Sequence, residues 1–324
     1  MTATRKIRWT QGRSYALPER RRLAAILLAL GIWLLAFGQD VFQPVDLRTK
    51  THIASGYFGP NALPVFDMLD GRVDSTLRIE AAADWHKGTY GDHTMSAFVK
   101  LKIPLFTRRV NLSVWWTAQE WYWNTTEKQI RSRVSTDYPL HGHATGDIFI
   151  STDIQCVYEG RWWPSAAVRV GIKTAPSADY ELGRYFDSPA YFLDAHSGKS
   201  FALPGSFCKS LRIAGSVGFL CWQTETGRQN DAITYGAQVS LDTRLFNIIA
   251  TYGGYSGWER DGDRPMTIKA HCGFYAPLTL SKSERKTIFE PYIEYAYGLR
   301  DYPYRHLRVG LAWSVDIIRK QPLR

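Results

Sequence analysis

The sequence predicts an all-β fold, an antiparallel transmembrane β-barrel of about 12 strands. Three observations predict it. A period of two recurs along residues 75–324, the alternating runs are long, and aromatic residues gather at their ends. The stretch from Val110 to Trp123 shows all three. Val110, Leu112, Val114, Trp116 and Ala118 are apolar, and Asn111, Ser113, Thr117 and Gln119 between them are polar. Such alternation gives a strand one apolar and one polar face. An ordinary globular strand has about five or six residues. A tilted membrane strand needs roughly nine to eleven and ends in interfacial aromatics. This run closes on Trp121, Tyr122 and Trp123.

The same alternation can be followed strand by strand. Leu77, Ile79, Ala81, Ala83 and Trp85 oppose Thr76, Arg78, Glu80 and Asp84, and then Ala97, Val99, Leu101 and Ile103 oppose Lys100 and Lys102. Beyond the run at Val110, Ile148, Ile150, Ile154, Cys156 and Tyr158 oppose Asp147, Ser151, Asp153, Gln155 and Glu159. Val168, Val170 and Ile172 oppose Arg169 and Lys173. Later runs start at Leu211 (around Arg212), Ile233, Phe246, Met266 (around Lys269 and His271), Phe289 (around Glu290 and Glu294) and Leu307 (around Arg308). These make 11 strands.

Loop lengths call for one more. Periplasmic turns are short and strand number is even in bacterial barrels. The tight turns at Phe106–Arg109, Gly160–Pro164 and Asp242–Arg244 share one end only if a strand lies between Thr174 and Leu211. Tyr191, Leu193 and Ala195, opposing Phe192, Asp194 and His196, supply it. Twelve strands put both ends of the mature chain in the periplasm. A soluble sandwich would have shorter strands and no charges directed into its core. Trp85, Tyr122 and Tyr297 fall at the outer ends, and Tyr158, Trp162 and Trp163 at the inner end. The last strand does not finish the chain on an aromatic residue but runs on through Arg319–Arg324.

Residues 1–38 have the form of an export signal. Arg5, Lys6, Arg8, Arg13 and Arg20–Arg22 precede an apolar run from Leu23 to Phe37, and Ala36-Phe37-Gly38 offers a cleavage site. The apolar run is shorter than the roughly 20 residues of a spanning helix. A retained anchor is the alternative. Removing the net +6 of the first 22 residues from the formal +10 leaves about +4. The basic balance therefore belongs largely to the signal, and nucleic-acid binding is not expected. Residues 39–74 are irregular, broken by Gly56, Gly59, Pro60 and Pro64. They read as a periplasmic tail or as a plug tucked into the lumen, with Tyr57, Phe58, Pro60, Asn61 and Pro64 as the plug residues.

GYFGPNALPV, TGDIFISTDIQ, AVRVGIKTA and FDSPAYFLDAHSGKSF together resemble a group of uncharacterised outer-membrane barrel proteins of Bacteroidetes, across nearly all of the mature chain. More loosely, the GD-then-strand and RVGIKTA segments are similar to outer-membrane proteins linked to phenol-degradation pathways, thought to move small organic molecules. The resemblance implies a barrel in the outer membrane, in contact with its lipid and inserted by the barrel-assembly machinery. It carries no catalytic residues.

Charges on the inward face are expected to line the lumen: Arg78, Glu80, Lys100, Lys102, Asp147, Asp153, Arg169, Lys173, Arg212, Lys269, Glu290, Glu294 and Arg308. Adjacent strands of opposite sign should pair. Glu80 would pair with Lys100 and Lys102, Asp147 and Asp153 with Arg169 and Lys173, and Glu290 and Glu294 with Lys269 and Arg308. Such pairs either brace a filled lumen or form the constriction of a selective pore. A small-molecule channel or transporter is the first reading. A non-transporting scaffold in an outer-membrane assembly is the second, with loops Asn124–Gly142 and Ala175–Ser188 free to hold a ligand or partner. A lipid hydrolase is third, because no histidine falls on the lipid-facing register and His196 and His271 point inward. His86, Asp92, His93, Asp137, His141 and His143 lie in two consecutive outer loops and read as solvated. There is no P-loop, dinucleotide fingerprint or HExxH, so no enzyme, cofactor or metal is expected. Cys156, Cys221 and Cys272 fall on lipid-facing positions and Cys208 in a connection, all without bridges. Oligomeric state and substrate have no signature.

Overall fold

The structure, a computed structural model, describes residues 59–131, 136–174, 184–185, 189–204, 207–223, 229–256, 264–277 and 287–318. The signal, Tyr57, Phe58 and Arg319–Arg324 lie outside them. The strands are β1 (Leu77–Gly88), β2 (His93–Pro104), β3 (Val110–Trp123), β4 (His141–Ala144), β5 (Ile148–Val157), β6 (Ser165–Lys173) and β7 (Ala190–Ala202). They continue with β8 (Cys208–Gln223), β9 (Gln229–Thr243), β10 (Phe246–Ser256), β11 (Met266–Phe274), β12 (Ala276–Pro277), β13 (Thr287–Arg300) and β14 (Tyr304–Val315). A short helix, α1 (Thr126–Arg131), follows β3.

Every pairing is antiparallel. β1 pairs with β14, and β11 pairs with β13, so the sheet closes on itself. Short β4 pairs with β3 ahead of β5, and β12 pairs with β13 beyond β11, so each extends its neighbour's line. That leaves 12 spanning strands in a closed barrel. Closure leaves no unpaired edge. β7 is the strand demanded by turn parity. Its outward Tyr191, Leu193 and Ala195 alternate with inward Phe192, Asp194 and His196, as the pattern predicts. The facing ends of β2 and β3, β5 and β6, β7 and β8, and β9 and β10 share one end of the barrel, and those of β3 and β5 and of β6 and β7 share the other.

The apolar face points outward. Ile172, Ile213, Val217, Ile233, Ile268 and Val309 are exposed, while Asp84, Glu120, Asp153, Arg169 and Arg212 are buried inside. A soluble fold has the reverse arrangement, and a closed barrel with an apolar exterior and a polar interior is built for a bilayer. No helix among the described residues is long and apolar enough to cross a membrane.

One irregularity changes the expected faces. On β3, Ala97 of β2 pairs with Gln119 and Phe98 with Thr117, so Ala118 is a bulge with no partner opposite. An extra residue in one strand reverses the side-chain alternation beyond it. Val110–Trp116 keep the predicted phase. Past Ala118, Trp121 and Trp123 face outward, whereas Glu120 is 0% and Tyr122 1% exposed inside. Tyr122 is therefore not an outer aromatic anchor. Two further expectations change. His86 is not in a loop but on β1, buried and stacked on His306 at 4.1 Å. His93 opens β2 stacked on Trp123 at 4.8 Å, so a histidine does occupy the outward register, against an aromatic ring. Cys208 begins β8, Cys221 is buried, and no disulfide joins any of the four cysteines.

Leu77 pairs with Val315 at the short-turn end, but the chain before it turns back into the barrel. The Gly59 N–H donates to the Arg184 carbonyl at 2.9 Å, and the Tyr302 hydroxyl to the Pro60 carbonyl at 3.0 Å. Both partners belong to connections at the long-loop end. Described residues 59–74 thus run the length of the lumen, and Gly59 is not at the end where β1 begins.

Candidate functional site in the barrel lumen

Residues 59–74 meet the wall in two zones. Near the long-loop end the wall is apolar. Phe149 of β5, Phe192 of β7, Trp222 of β8 and Tyr255 of β10 form a buried cluster with Ala62 and Leu63, and Val65 and Phe66 pack against it. The Phe66 ring lies 4.5 Å from Phe192 and 5.7 Å from both Phe149 and Trp222. The lack of period in this part of the chain fits a segment that forms no element of its own. Pro60 and Pro64 have no N–H to satisfy, and the Leu63 carbonyl accepts from the Tyr255 hydroxyl at 3.0 Å.

Toward the short-turn end the grip is polar, and much of it falls on backbone atoms. Arg169 donates to the Asp67 carbonyl at 2.7 Å. Arg212 donates to the Asp70 carbonyl at 2.7 and 3.0 Å. Gln155 bridges the Gly71 carbonyl at 2.9 Å and the Val73 N–H at 2.8 Å. The Asn111 amide donates to the Asp74 carbonyl at 3.1 Å, and the Leu69 N–H to His196 Nδ1 at 3.3 Å. Gly71 has φ +84°, and a Cβ there would meet the Gly198 backbone nitrogen at 2.6 Å, so the segment bends where only glycine fits.

The predicted lumen charges project from strands of this wall, except Asp147, which immediately precedes β5, but they do not all pair as expected. Asp153 takes Arg169 at 2.7 Å and Asp147 takes Lys173 at 2.8 Å, as their strand order implies. Glu294 takes Lys269 at 3.2 Å. Arg308 instead grips Asp84 at 2.6 and 2.8 Å, because Asp84 and Glu294 both lie opposite it in register. Glu290 takes Arg78 at 2.7 Å, across β14, and has neither Lys269 nor Arg308 as partner. Glu80 lies opposite Lys100, yet its carboxylate meets Arg78 at 3.7 Å and accepts from the Tyr292 hydroxyl. Lys100 reaches Asp67 at 3.7 Å instead, and Lys269 also binds the Asp67 carboxylate. Lys102 lies beside Arg78 and Ser113 in register rather than beside Glu80.

Two anchors were not among the expected residues. Buried Glu120 accepts from Arg184 Nε at 2.8 Å, from the Asn61 amide at 2.7 Å and from the Tyr185 hydroxyl at 3.0 Å, and lies 2.7 Å from Arg184 Nη2 as an ion pair. Arg184 also donates to Thr94 Oγ1 at 2.8 Å and lies over the Tyr122 ring at 4.6 Å. Its expected place was the outer loop Ala175–Ser188, read as free to hold a ligand or partner. Asp67 is the other, in a stretch with no alternation to point it at the wall. Among the described residues no three His, Cys, Asp or Glu side chains converge as a metal set.

Two cavities flank the segment. One of about 100 Å³ is lined by Asp67, Lys100, Trp115, Arg169, Lys269 and Arg308, among others. A smaller one of about 30 Å³ lies between Val65–Met68 and a stretch of wall that includes Asp194, His196, Thr234, Gly236 and Thr251. The larger holds several waters by volume.

No family model matches this chain, and no curated protein does. Solved structures do. The NanC porin aligns with TM-score 0.46 and 10% identity over 72% of this chain and 98% of that one. An outer-membrane channel from Pseudomonas putida F1 aligns with TM-score 0.48 and 10% identity, over 77% and 99%. The KdgM porin gives 0.39 and 10%, over 73% and 98%. The barrel's closure, outward apolar face and charged interior are its own evidence, and they make it an outer-membrane barrel.

The grip at the short-turn end has a defined pH response. Glu159, in turn 158–164, accepts from the Ser200 N–H at 2.8 Å and from Arg212 at 2.6 Å. Partial burial raises its pKa, but the Ser200 and Arg212 hydrogen bonds outweigh that and hold it at about 2, below the usual 4.5. A depressed carboxylate contributes stability that is complete above its unfolded value and lost as pH falls through the folded one. The melting-temperature difference between wild type and Glu159→Gln is therefore expected to be constant above about pH 5 and to shrink toward zero near pH 2.

Proposed function

We propose that the protein is a plugged outer-membrane barrel, which passes a small molecule when residues 59–74 leave the lumen. The observation that carries this is the course of that segment from Gly59 at the long-loop end to Asp74 at the other, inside a closed wall. Its hold consists of hydrogen bonds, ion pairs and one aromatic side chain in an apolar seat, all of which can be made and broken. On this reading the first 38 residues direct export and are removed, and the barrel-assembly machinery inserts the rest. The segments GYFGPNALPV and FDSPAYFLDAHSGKSF support a place among the outer-membrane barrels of Bacteroidetes.

A second reading has an observation of its own. The apolar cluster around Phe66 resembles a domain core, which a scaffold that never opens would also need. Single-channel recording separates the two. The intact protein is expected to be closed or to open rarely, and a variant with residues 59–74 replaced by a Gly/Ser chain of equal length to open in discrete steps. Silence in both, with the barrel folded, would overturn the passage reading in favour of the scaffold.

A further inference from the structure

We propose that the cationic seat of Asp67 is a recognition site for a small aromatic monocarboxylate, which opens the barrel by taking the place of Asp67. The opening step rests on the passage reading above, whereas the binding step does not. Four cations of the wall, Lys100, Arg169, Lys269 and Arg308, line the cavity of about 100 Å³ that holds the Asp67 side chain. Three of them keep a carboxylate of the wall whatever the segment does: Arg169 has Asp153, Lys269 has Glu294 and Arg308 has Asp84. Among the described residues, Lys100 forms its ion pair with Asp67 alone, at 3.7 Å. When Asp67 leaves, Lys100 loses that ion pair and is left facing Glu80, which lies opposite it in register and is already engaged by Arg78 and Tyr292, so its charge is under-compensated, which is unfavourable away from bulk water. One incoming carboxylate restores the balance, whereas a neutral solute does not and a second negative charge would exceed it.

The walls beside these cations are flat and apolar. Lys100 Nζ lies 5.5 Å from the centre of the Trp115 ring, and the Arg308 guanidinium 3.8 Å from that of Phe98. Trp115 stacks on Phe149 at 5.3 Å with 8° between planes. Phe98, Trp115 and Phe149 line the same cavity, so an aryl group that enters it meets ring surface while its carboxylate is directed to Lys100 and Lys269. Asp67 therefore acts as a tethered stand-in for the solute. Segment and solute compete for one set of cations, which couples binding to release by differential affinity.

The test uses the refolded full chain in detergent, titrated calorimetrically with benzoate and with benzamide as its neutral counterpart. Asp67→Asn removes the competitor from the segment and leaves the wall intact. It is expected to bind benzoate about tenfold or more tightly than wild type does, since one charge-assisted contact is no longer competed for. Lys100→Gln is expected to lose that binding and Lys100→Arg to retain it, while benzamide binds none of them. Benzoate should also raise the opening frequency of the wild-type protein in single-channel recordings. Equal binding of benzoate and benzamide, or no gain in Asp67→Asn, would overturn the proposal. Benzoate binding without openings in any variant would uphold the seat and overturn the passage reading. Openings after Gly/Ser replacement, with no benzoate binding to Asp67→Asn, would do the opposite.

Discussion

Glu120→Ala is expected to release the upper end of the lumenal segment and produce frequent channel openings while the barrel stays folded. Glu120 is fully buried, accepts hydrogen bonds from Arg184, Asn61 and Tyr185, and makes a second ion-pair contact with Arg184. Removing one partner of a buried ion pair costs about 3–5 kcal/mol, because the other charge is left without compensation. Here that charge is Arg184, itself 1% exposed, whose carbonyl receives the Gly59 N–H. Arg184 must then move toward solvent, which pulls away the contacts that hold Gly59 and Asn61. A shift of about 3 kcal/mol in the docking equilibrium corresponds to more than a hundredfold rise in the undocked fraction. Single-channel open probability measures it, and heat-modifiable migration on gels reports that the barrel remains intact. Glu120→Gln keeps the shape and one acceptor, and its effect should be smaller but of the same sign. An unchanged open probability in Glu120→Ala would show that this anchor does not hold the segment.

Phe66→Ala acts at the apolar zone by a different route. The ring fills space between Phe149, Phe192 and Trp222, which remain in place on β5, β7 and β8. Losing a buried phenylalanine costs about 3–5 kcal/mol in lost transfer energy and cavity formation. Phe66 is only partly buried, so about 3 kcal/mol is the better figure. The loss falls on docking rather than on the barrel, whose strands keep their own pairings. Open probability should rise by about two orders of magnitude, with little change in the unfolding temperature of the barrel. Phe66→Leu should recover most of the closed state. A large drop in barrel stability with no change in conductance would instead make Phe66 part of the structural core.

What could be read in the sequence divides along physical lines. The outward face was legible because lipid demands an apolar residue at every second position, and Ile213, Val217, Ile233 and Val309 satisfy it. β7 was legible because antiparallel pairing makes turn parity a counting rule. The bulge at Ala118 was not, since the Thr117-Ala118-Gln119 triplet contains neither glycine nor proline and looks like uninterrupted alternation. That one residue concealed Glu120, the carboxylate that holds Arg184 and Asn61, and misplaced Tyr122. Pairings within the charged wall were legible only as neighbourhoods. Arg308 lies between Asp84 and Glu294 in register, and register alone does not choose between them. Arg184 and Asp67 carried no signal at all, because neither belongs to a periodic element. The course of residues 59–74 was one of two readings, since a segment without period fits either a solvated tail or a chain held by its surroundings.

Hydrogen exchange along residues 59–74 of the folded protein tests the central claim most directly. The Gly59 amide donates to the Arg184 carbonyl, Leu69 to His196 and Val73 to Gln155, all inside the barrel. The account predicts that these amides exchange at least about a hundredfold more slowly than in an unstructured peptide, and that Glu120→Ala and Phe66→Ala speed their exchange ahead of the strands. Exchange of 59–74 at the unstructured rate, beside protected strands, would contradict it and leave the lumen empty of its own chain.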